Sequence, residues 1–172
     1  MVFLLEVNEA IKNRRSIRKY EKKIVEKEKL MKVLEAGRLA PSAMNRQPYA
    51  FVVISDIETI EKVSSACNQK WDAPIIIVVC AFPEESWVRE DGEEYWKADV
   101  AVAVNNMSLQ AFAEGLGTCW IVAFKEERIK EILGIKPEAR VVVMTPLGYP
   151  AEKKGPVKNR KTIDELVHYE RW

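Results

Sequence analysis

The feature that most constrains the fold is the apolar run Pro74–Phe82, whose sequence is PIIIVVCAF. Its β-branched side chains pack well on a pleated sheet and lose more freedom in a helix. Because apolar residues follow one another without alternation, both faces of such a strand must be covered. The run therefore predicts a central strand, in a sheet with helices packed on each face.

The rest of the chain contains apolar and amphipathic patterns that predict one sheet with helices packed on it. Helices are predicted over residues 4–13, 26–39, 57–67, 93–114 and 125–133. Further strands are predicted over residues 50–54, 118–124 and 141–144. The last of these strands is expected to end in turns that begin at Pro146. The order is compatible with an α+β or an α/β fold, and 172 residues suffice for one domain, 1–172, with its own core.

The C-terminal segment 151–172, here called the arm, differs in character from the rest of the chain. Its first part is polar and has no apolar face, whereas apolar side chains return over residues 166–172. Thr162 and Glu165 have the spacing of a capping box, which predicts the start of a short helix. The apolar end needs a surface to pack on, either on its own chain or on a second subunit. His168, the only histidine, is expected to have neither a catalytic nor a metal-binding role there.

Four cations and a hydroxyl lie within Arg14–Tyr20, here called the basic stretch, whose sequence is RRSIRKY. Guanidinium groups suit phosphate oxygens, and a serine hydroxyl with free backbone N–H groups can complete an anion site. A solvated basic turn is the alternative interpretation. The net charge is only +1, from 27 basic and 26 acidic residues, so any anion site must be local. That balance gives no general affinity for nucleic acid or for an anionic membrane.

Two prolines bracket a polar loop at Pro41–Pro48, whose sequence is PSAMNRQP. The prolines restrict its shape, and its serine, asparagine and glutamine carry many hydrogen-bonding groups. The polar loop is either a helix-to-strand connection or a site that contacts the edge of a polar heterocycle. Asp99 lies among small apolar residues of the longest predicted helix. We interpret it as structural, because a buried acid is usually paired or hydrogen-bonded.

Several kinds of chemistry have no support in the sequence. Cys67, Cys80 and Cys119 form no C-x-x-C pair, and the last two are interpreted as small buried hydrophobes. There is no Ser/His/Asp order, no cluster of metal ligands and no G-x-G-x-x-G motif for a separate dinucleotide-binding domain. The apolar runs are too short for a signal peptide or a membrane span, so the cytoplasm is the expected location.

Four segments, taken in order, resemble the FMN-dependent nitroreductase family and span nearly the whole chain. They are RRSIRKY at 14–20, PSAMNRQP at 41–48, GLGTCWI at 115–121, and PLGYP at 146–150 with KNR at 158–160 and HYERW at 168–172. On these motifs the chain is identified as a short member of the family. The resemblance implies an α+β fold with a central mixed or antiparallel sheet flanked by helices. It also implies a homodimer that exchanges its C-terminal arms and holds two FMN sites at its interface.

The resemblance further implies which residues contact the flavin. Residues expected at the FMN phosphate, ribityl chain or ring edge are Arg14, Arg15, Ser16, Arg18, Lys158 and Arg160. Residues expected from the partner subunit, against the isoalloxazine and ribityl, are Pro41, Ser42, Ala43 and Asn45. The amide of Gln69 is expected toward the pyrimidine edge of the ring. The other face of the flavin is expected to be flanked by Trp120, Ile121, Val122 and Ala123.

Within that last group, the backbone N–H of Val122 is the donor expected toward the flavin N5. A backbone donor needs no particular side chain, and the resemblance implies no catalytic side chain. Val122 and Ala123 stand where some family members carry an acidic residue and a glycine, which changes the polarity expected at this edge of the flavin. FMN binding itself does not depend on that difference.

The activity implied by the resemblance is hydride transfer from NADH or NADPH, through the flavin N5, to a nitroaromatic or a quinone. Donor and acceptor would use one site in turn, which is a ping-pong mechanism, and the only partners expected are small molecules and a second copy of the chain. One alternative is a reductive dehalogenase or a flavin-cleaving relative of the same fold, although the short linker between Phe82 and Glu93 favours a roomy, permissive site. A second alternative is a flavin-binding storage or regulatory protein, and a third is nucleic-acid binding through Arg14–Lys19.

Overall fold

The chain forms a four-stranded antiparallel sheet with helices on both faces, in a computed structural model that describes residues 7–155 and 157–172. The strands are β1 (Tyr49–Ile54), β2 (Ile75–Ala81), β3 (Gly117–Thr118) and β4 (Arg140–Gly148). Their order across the sheet is β1-β2-β4-β3. The helices are α1 (Val7–Asn13), α2 (Lys27–Arg38), α3 (Ile57–Ser65), α4 (Trp96–Ala113) and α5 (Glu126–Leu133). The α+β prediction is confirmed, with the sheet antiparallel.

Both faces of β2 are buried along its whole length, as its apolar sequence predicts. On one face, Ile77 belongs to a core cluster with Val33 of α2 and Val104 of α4. On the other face, Val78 belongs to a cluster with Val63 of α3, and α5 contributes to the same cluster. Because successive side chains of a strand point to opposite faces, this one strand organises both halves of the core.

The predicted helices agree with the structure to within a few residues at their ends. The start of the helix predicted over 4–13 lies outside the described residues, and the rest is α1. The N-terminus of α3 is capped by Asp56, whose Oδ2 accepts a hydrogen bond from the Thr59 N–H at 2.8 Å. Gly134 ends α5 in the left-handed conformation. None of the described helices is both long enough and apolar enough to cross a membrane.

The strand predicted over residues 118–124 was wrong, because regular pairing stops after Thr118. Pairing returns only at Ile121, which exchanges two backbone hydrogen bonds with Met144, at 2.8 and 3.0 Å. The next hydrogen-bonded pair of that antiparallel ladder would join Cys119 to Pro146, and proline has no N–H to donate. Residues 119–123, here called the edge segment, are therefore largely released from the sheet.

The same proline does not end β4, although the sequence predicted turns from Pro146 onward. The strand continues to Gly148, and Pro146 lies in register with Ile76 of β2. Backbone groups alternate in direction along a strand, so Pro146 faces the same side as Met144, toward the edge segment. The missing N–H therefore interrupts only the outer ladder and leaves the pairing with β2 intact.

The basic stretch lies beside β3 and extends the sheet edge. The N–H of Ile17 donates to the carbonyl of Thr118 at 2.9 Å, and the N–H of Ala151 donates to that of Lys19 at 2.9 Å. The buried Tyr20 hydroxyl donates to the Ile17 carbonyl at 2.6 Å. The apolar members of the stretch are thus fixed against the sheet, and it is not a simple solvated turn.

Gly117 is the point of closest approach between β3 and the basic stretch, and replacing it with alanine is expected to destabilise the protein. An added Cβ would lie 2.8 Å from the Cβ of Ile17, too close for either backbone to remain in place. Overpacking of this kind lowers the free energy of unfolding by about 1–3 kcal/mol. Urea unfolding of Gly117→Ala measures the loss.

Gly155→Ala is the matched control, because an added Cβ there meets nothing within 4 Å. We expect it to stay within about 0.5 kcal/mol of the parent chain, as most surface substitutions do. Equal stability of the two variants would contradict a rigid contact between β3 and the basic stretch.

The arm does not pack on the core of its own chain. All described residues from Val157 to Trp172 are exposed, with Ile163 at 72% and Tyr169 at 84% exposure. The predicted capping box is present, since the Thr162 N–H donates to Glu165 at 2.7 Å, but only a single turn follows. The sequence left two surfaces that could cover the apolar end of the arm, its own chain or a second subunit. Its own chain does not cover it.

Candidate functional site

Arg14 and Ser16 lie half-buried at the β3 edge of the sheet. Ser16 forms a parallel bridge with Thr118, and Arg14 lines a cavity of about 180 Å³ together with Phe112 and Thr118. Within residues 7–155 and 157–172, neither side chain forms a hydrogen bond or an ion pair. Both groups are therefore held in place with their donors available.

Arg14 is surrounded by positive charge. Burial lowers the pKa of its guanidinium, and the charges of Arg15 and Arg160 lower it further. Arg160 belongs to the arm, so a charge from the other end of the chain acts on Arg14. We call Arg14, Ser16 and Arg160 the Arg14 cluster. A bound anion would offset the repulsion among its cations.

Arg15 differs from its neighbours because backbone carbonyls occupy its guanidinium. It donates to the carbonyls of Lys12 and Arg14, each at 2.7 Å, and to that of Gly155 at 3.0 Å. The last contact ties the arm to the basic stretch. Arg15 therefore has a structural task in this chain, and its expected contact with flavin stays a prediction.

The backbone N–H groups of Arg18 and Lys19, within the basic stretch, are not free. The Oε1 atom of Glu152 accepts from the Arg18 N–H at 2.6 Å and from the Lys19 N–H at 3.3 Å. The Arg18 hydrogen bond is the main cause that lowers the pKa of Glu152, and Lys154 contributes. A carboxylate of the chain itself thus fills the backbone anion site. The side chains of Arg18 and Lys158 are exposed.

Sequence reasoning missed Glu152, because its polar, charged surroundings looked like a solvated arm. No local motif identifies it, since its hydrogen bonds reach 134 residues back along the chain. Because Glu152 occupies the N–H groups of Arg18 and Lys19, an external anion would have to bind the side chains of the Arg14 cluster.

The edge segment continues from the Arg14 cluster along the sheet and presents a row of backbone and side-chain groups. Trp120, Val122 and Ala123 are exposed, with Val122 at 67% exposure. The N–H of Val122 has no hydrogen-bond partner in the part of the chain that the structure describes. Ile121 differs from the other three residues because its side chain is buried and its N–H is bound to Met144.

Gln69 lies at the far end of this row. The N–H of Asn68 donates to the carbonyl of Ala123 at 3.3 Å, and Cys67 forms an antiparallel bridge with Phe124. The exposed Gln69 therefore follows directly on residues that are joined to the edge segment. An extended chain from Thr118 to Ala123 spans roughly 17 Å, so the Arg14 cluster and Gln69 lie at opposite ends of an elongated surface.

These residues fit FMN, an elongated molecule with a phosphate at one end and a heterocycle at the other. Arg14 and Arg160 form no ion pair among the described residues, and Glu152, which lines the same cavity as Arg14, is paired with Lys154; unpaired guanidinium groups suit a phosphate. The unpaired Val122 N–H and the exposed Gln69 amide suit the polar edges of a heterocycle. Arg14, Ser16 and Arg160 would hold the phosphate, with Val122 and Gln69 at the ring.

The polar loop lies elsewhere in the same chain. The Ala43 N–H donates to Oδ1 of Asp99, near the N-terminal end of α4, at 2.9 Å. The Arg14 cavity instead includes Phe112, near the C-terminal end of α4. A rise of 1.5 Å per residue separates Phe112 from Asp99 by roughly 20 Å along the helix axis. One chain therefore does not bring the polar loop onto its own Arg14 cluster.

Within the polar loop, the predicted residues Pro41 and Asn45 are exposed, and Ser42 and Ala43 are half-buried. Ser42 and Ala43 are engaged in backbone hydrogen bonds, since Ser42 Oγ accepts from the Gln47 N–H at 2.9 Å. The structure thus gives two groups of predicted residues: those on the edge that runs from the Arg14 cluster to Gln69, and those of the polar loop.

The fold and these groups define a class: α+β proteins that carry a cluster of cations at one edge of an antiparallel sheet. The profile of the nitroreductase family matches residues 11–73 and 67–149. A protein of Methanothermobacter thermautotrophicus, provisionally named NADH dehydrogenase/NAD(P)H nitroreductase, is 34% identical over 98% of this chain and 88% of its own length.

Solved structures of nitroreductases have the same fold as this chain. A nitroreductase family protein from Clostridium difficile 630 has a TM-score of 0.90 and 34% identity, over 98% of this chain and 100% of that chain. An FMN-dependent nitroreductase from Clostridium difficile R20291 has a TM-score of 0.82 and 31% identity, over 95% of this chain and 98% of that chain. This chain belongs to the nitroreductase family.

Proposed function

We propose that this chain is an FMN-dependent oxidoreductase that oxidises NADH or NADPH and reduces a nitroaromatic or a quinone. The observation that carries the proposal is the succession, along one edge of the sheet, of the Arg14 cluster, the Val122 N–H, which is unpaired among the described residues, and the exposed Gln69. The names of the relatives from M. thermautotrophicus and C. difficile R20291 support NAD(P)H and FMN. The chain would act as one FMN-binding domain, and the cytoplasm stays its predicted location.

Each group of this surface has a separate task in the proposal. Arg14 and Arg160 neutralise the phosphate, and Ser16 donates a hydrogen bond to it. The Val122 N–H donates to N5, and Gln69 offers an amide to the pyrimidine edge. The Val122 N–H would stabilise the negative charge that develops when the ring is reduced, because a fixed backbone donor is already oriented before the reaction.

When bound, FMN supplies the redox chemistry by taking a hydride at N5 and passing the reducing equivalents to the acceptor. The chain's own contribution is to orient the ring and to leave one face open. Trp120 and Val122 expose apolar surface beside it, which suits a flat aromatic molecule. Because that surface is shared, nicotinamide and acceptor would bind in turn.

A homodimer would complete the site. Because the polar loop and the Arg14 cluster lie at opposite ends of α4, a loop that covers this chain's flavin must come from a second copy. The arm is a second reason to propose a dimer, because its apolar end is exposed on its own chain. In the proposed dimer each arm packs on the partner, and two FMN molecules lie at the interface.

The test is an anaerobic absorption spectrum of the purified protein, before and after addition of NADH or NADPH and then of an acceptor. We expect bound flavin, bleaching by one or both nicotinamides, and recovery of the oxidised spectrum with a nitroaromatic or a quinone. Initial rates at varied donor and acceptor concentrations should give parallel double-reciprocal lines, as a shared site requires.

The other outcomes separate the alternatives. Bound flavin that neither nicotinamide bleaches would identify a storage or regulatory protein. Reoxidation by a halogenated phenol and not by a quinone would identify a dehalogenase. Intersecting kinetic lines would overturn the shared site, because they require donor and acceptor to be bound together. Colourless protein that binds DNA in a salt-sensitive way would support the nucleic-acid alternative.

A further inference from the structure

The polar loop has an unusual backbone. Met44, Asn45 and Gln47 have φ values of 51°, 55° and 50°, in the left-handed region that residues with a Cβ seldom adopt. Of these, asparagine tolerates this conformation best. Such conformations persist only where the surroundings hold them, and they concentrate at functional sites. The loop therefore depends on contacts that fix its shape.

Hydrogen bonds fix the loop from several directions. Within the loop, Ser42 Oγ accepts from the Gln47 N–H at 2.9 Å. Toward the turn at residues 83–86, Arg46 Nη1 donates to the carbonyl of Ser86 at 3.0 Å. The contact with the helical core is made by Asp99, whose Oδ1 accepts from the Ala43 N–H at 2.9 Å.

The position of Asp99 makes that last contact unusual. Its side chain is only 4% exposed, on a face of α4 where Val100 and Ala103 are also buried. Its Oδ2 atom has no hydrogen-bond partner among the described residues. A buried carboxylate with one unpartnered oxygen costs stability, and an apolar side chain there would not. The benefit that offsets this cost is the hydrogen bond that Oδ1 accepts from the Ala43 N–H of the loop.

We propose that Asp99 is a positioning residue, which holds the polar loop in its left-handed conformation so that the loop fits the flavin of the partner subunit. The inference rests on the proposed FMN site and adds the residue that sets the loop's shape. Asp99 touches neither the flavin nor a substrate in this proposal. It acts through the Ala43 N–H, and an acceptor oxygen at its position is what the loop requires.

The test compares Asp99→Ala, Asp99→Asn and Ser108→Ala by titration of the apoprotein with FMN and by amide hydrogen exchange over residues 41–48. Alanine removes the acceptor, and asparagine keeps an acceptor oxygen. Ser108 is buried on the same helix and bonds only to Val104, so it controls for loss of a buried polar group. Losing a hydrogen bond to a charged group weakens the linked equilibrium by roughly 10- to 100-fold.

We expect Asp99→Ala to raise the FMN dissociation constant by roughly that factor and to speed exchange of the Ala43 N–H. Asp99→Asn should restore both values to within about threefold of the parent, since its oxygen accepts the same bond. Ser108→Ala should change neither. Asp99→Asn behaving like Asp99→Ala, or Ser108→Ala matching it, would overturn the proposal.

Hydrogen exchange keeps this inference separate from the proposed function. If the parent chain binds no FMN while Asp99→Ala still frees the loop, the FMN proposal fails and Asp99 remains the anchor of the loop only. If the parent binds FMN while Asp99→Ala binds it equally well, the positioning role fails and the FMN proposal stands.

Discussion

Replacing Arg14 with alanine is expected to give a folded protein that has lost most of its FMN. The guanidinium is half-buried and forms no ion pair among the described residues. Glu152 lines the same cavity but is paired with Lys154 at 3.3 Å, so a bound phosphate would be the main partner of Arg14. Loss of one charge-assisted contact weakens binding by roughly 10- to 100-fold. The flavin content of purified protein and an FMN titration of the apoprotein measure the change.

The same substitution should leave the apoprotein as stable as the parent, or more stable. Burial lowers the pKa of Arg14 and the charges of Arg15 and Arg160 lower it further, so both neighbours repel the Arg14 charge when no anion is bound. Removing the Arg14 charge relieves that repulsion. Stability and FMN affinity therefore change in different directions, a result that general loss of structure does not give.

Lys12→Ala is the matched control, since Lys12 is an exposed cation of α1 close in sequence to Arg14. It removes the same net charge and should keep full flavin content. Full occupancy in Arg14→Ala as well would show that the phosphate lies elsewhere.

Replacing Leu166 with aspartate is expected to convert the proposed dimer into monomers that hold little FMN. Leu166 is 59% exposed on its own chain, so a charge there costs the folded monomer little. On a partner surface, the loss of a buried leucine costs about 1.5–3 kcal/mol, and symmetry counts it twice. The dimer dissociation constant should rise by roughly 100-fold or more, measured by light scattering or sedimentation across a dilution series.

Lys161→Asp is the control, because it introduces the same acid on the polar part of the arm. We expect it to remain dimeric. A Leu166→Asp protein that also stays dimeric would mean that the apolar end of the arm does not form the interface. Unfolded Leu166→Asp would mean that the arm packs on its own chain.

Local sequence predicted the elements that a single pattern defines. The uninterrupted apolar run of β2 and the glycine that ends α5 both have local causes, and both are in the structure. The edge segment was predicted as a strand because its apolar residues resemble one. Its release depends on Pro146, which lies in another strand, and only the register of the sheet reveals that relation.

The candidate site also contains features that the sequence reveals and features that only the folded protein reveals. The basic stretch and the polar loop could be found from residue types, since cations and prolines are visible in a sequence. The left-handed conformation of Met44 could not, because nothing local favours it. Glu152 and Asp99 act through contacts with residues far away in the chain, so their roles appear only in the folded protein.

The length of α4 has a consequence for how cofactor and assembly depend on each other. In the proposed dimer, each flavin phosphate lies beside the C-terminal end of one α4, and the flavin is covered by a loop fixed near the N-terminal end of the other. Dissociation of the subunits then opens both sites at once, and each bound FMN adds its binding energy to the subunit contact. Flavin affinity and subunit affinity become one linked equilibrium, so dilution alone releases cofactor and excess FMN restores the assembly.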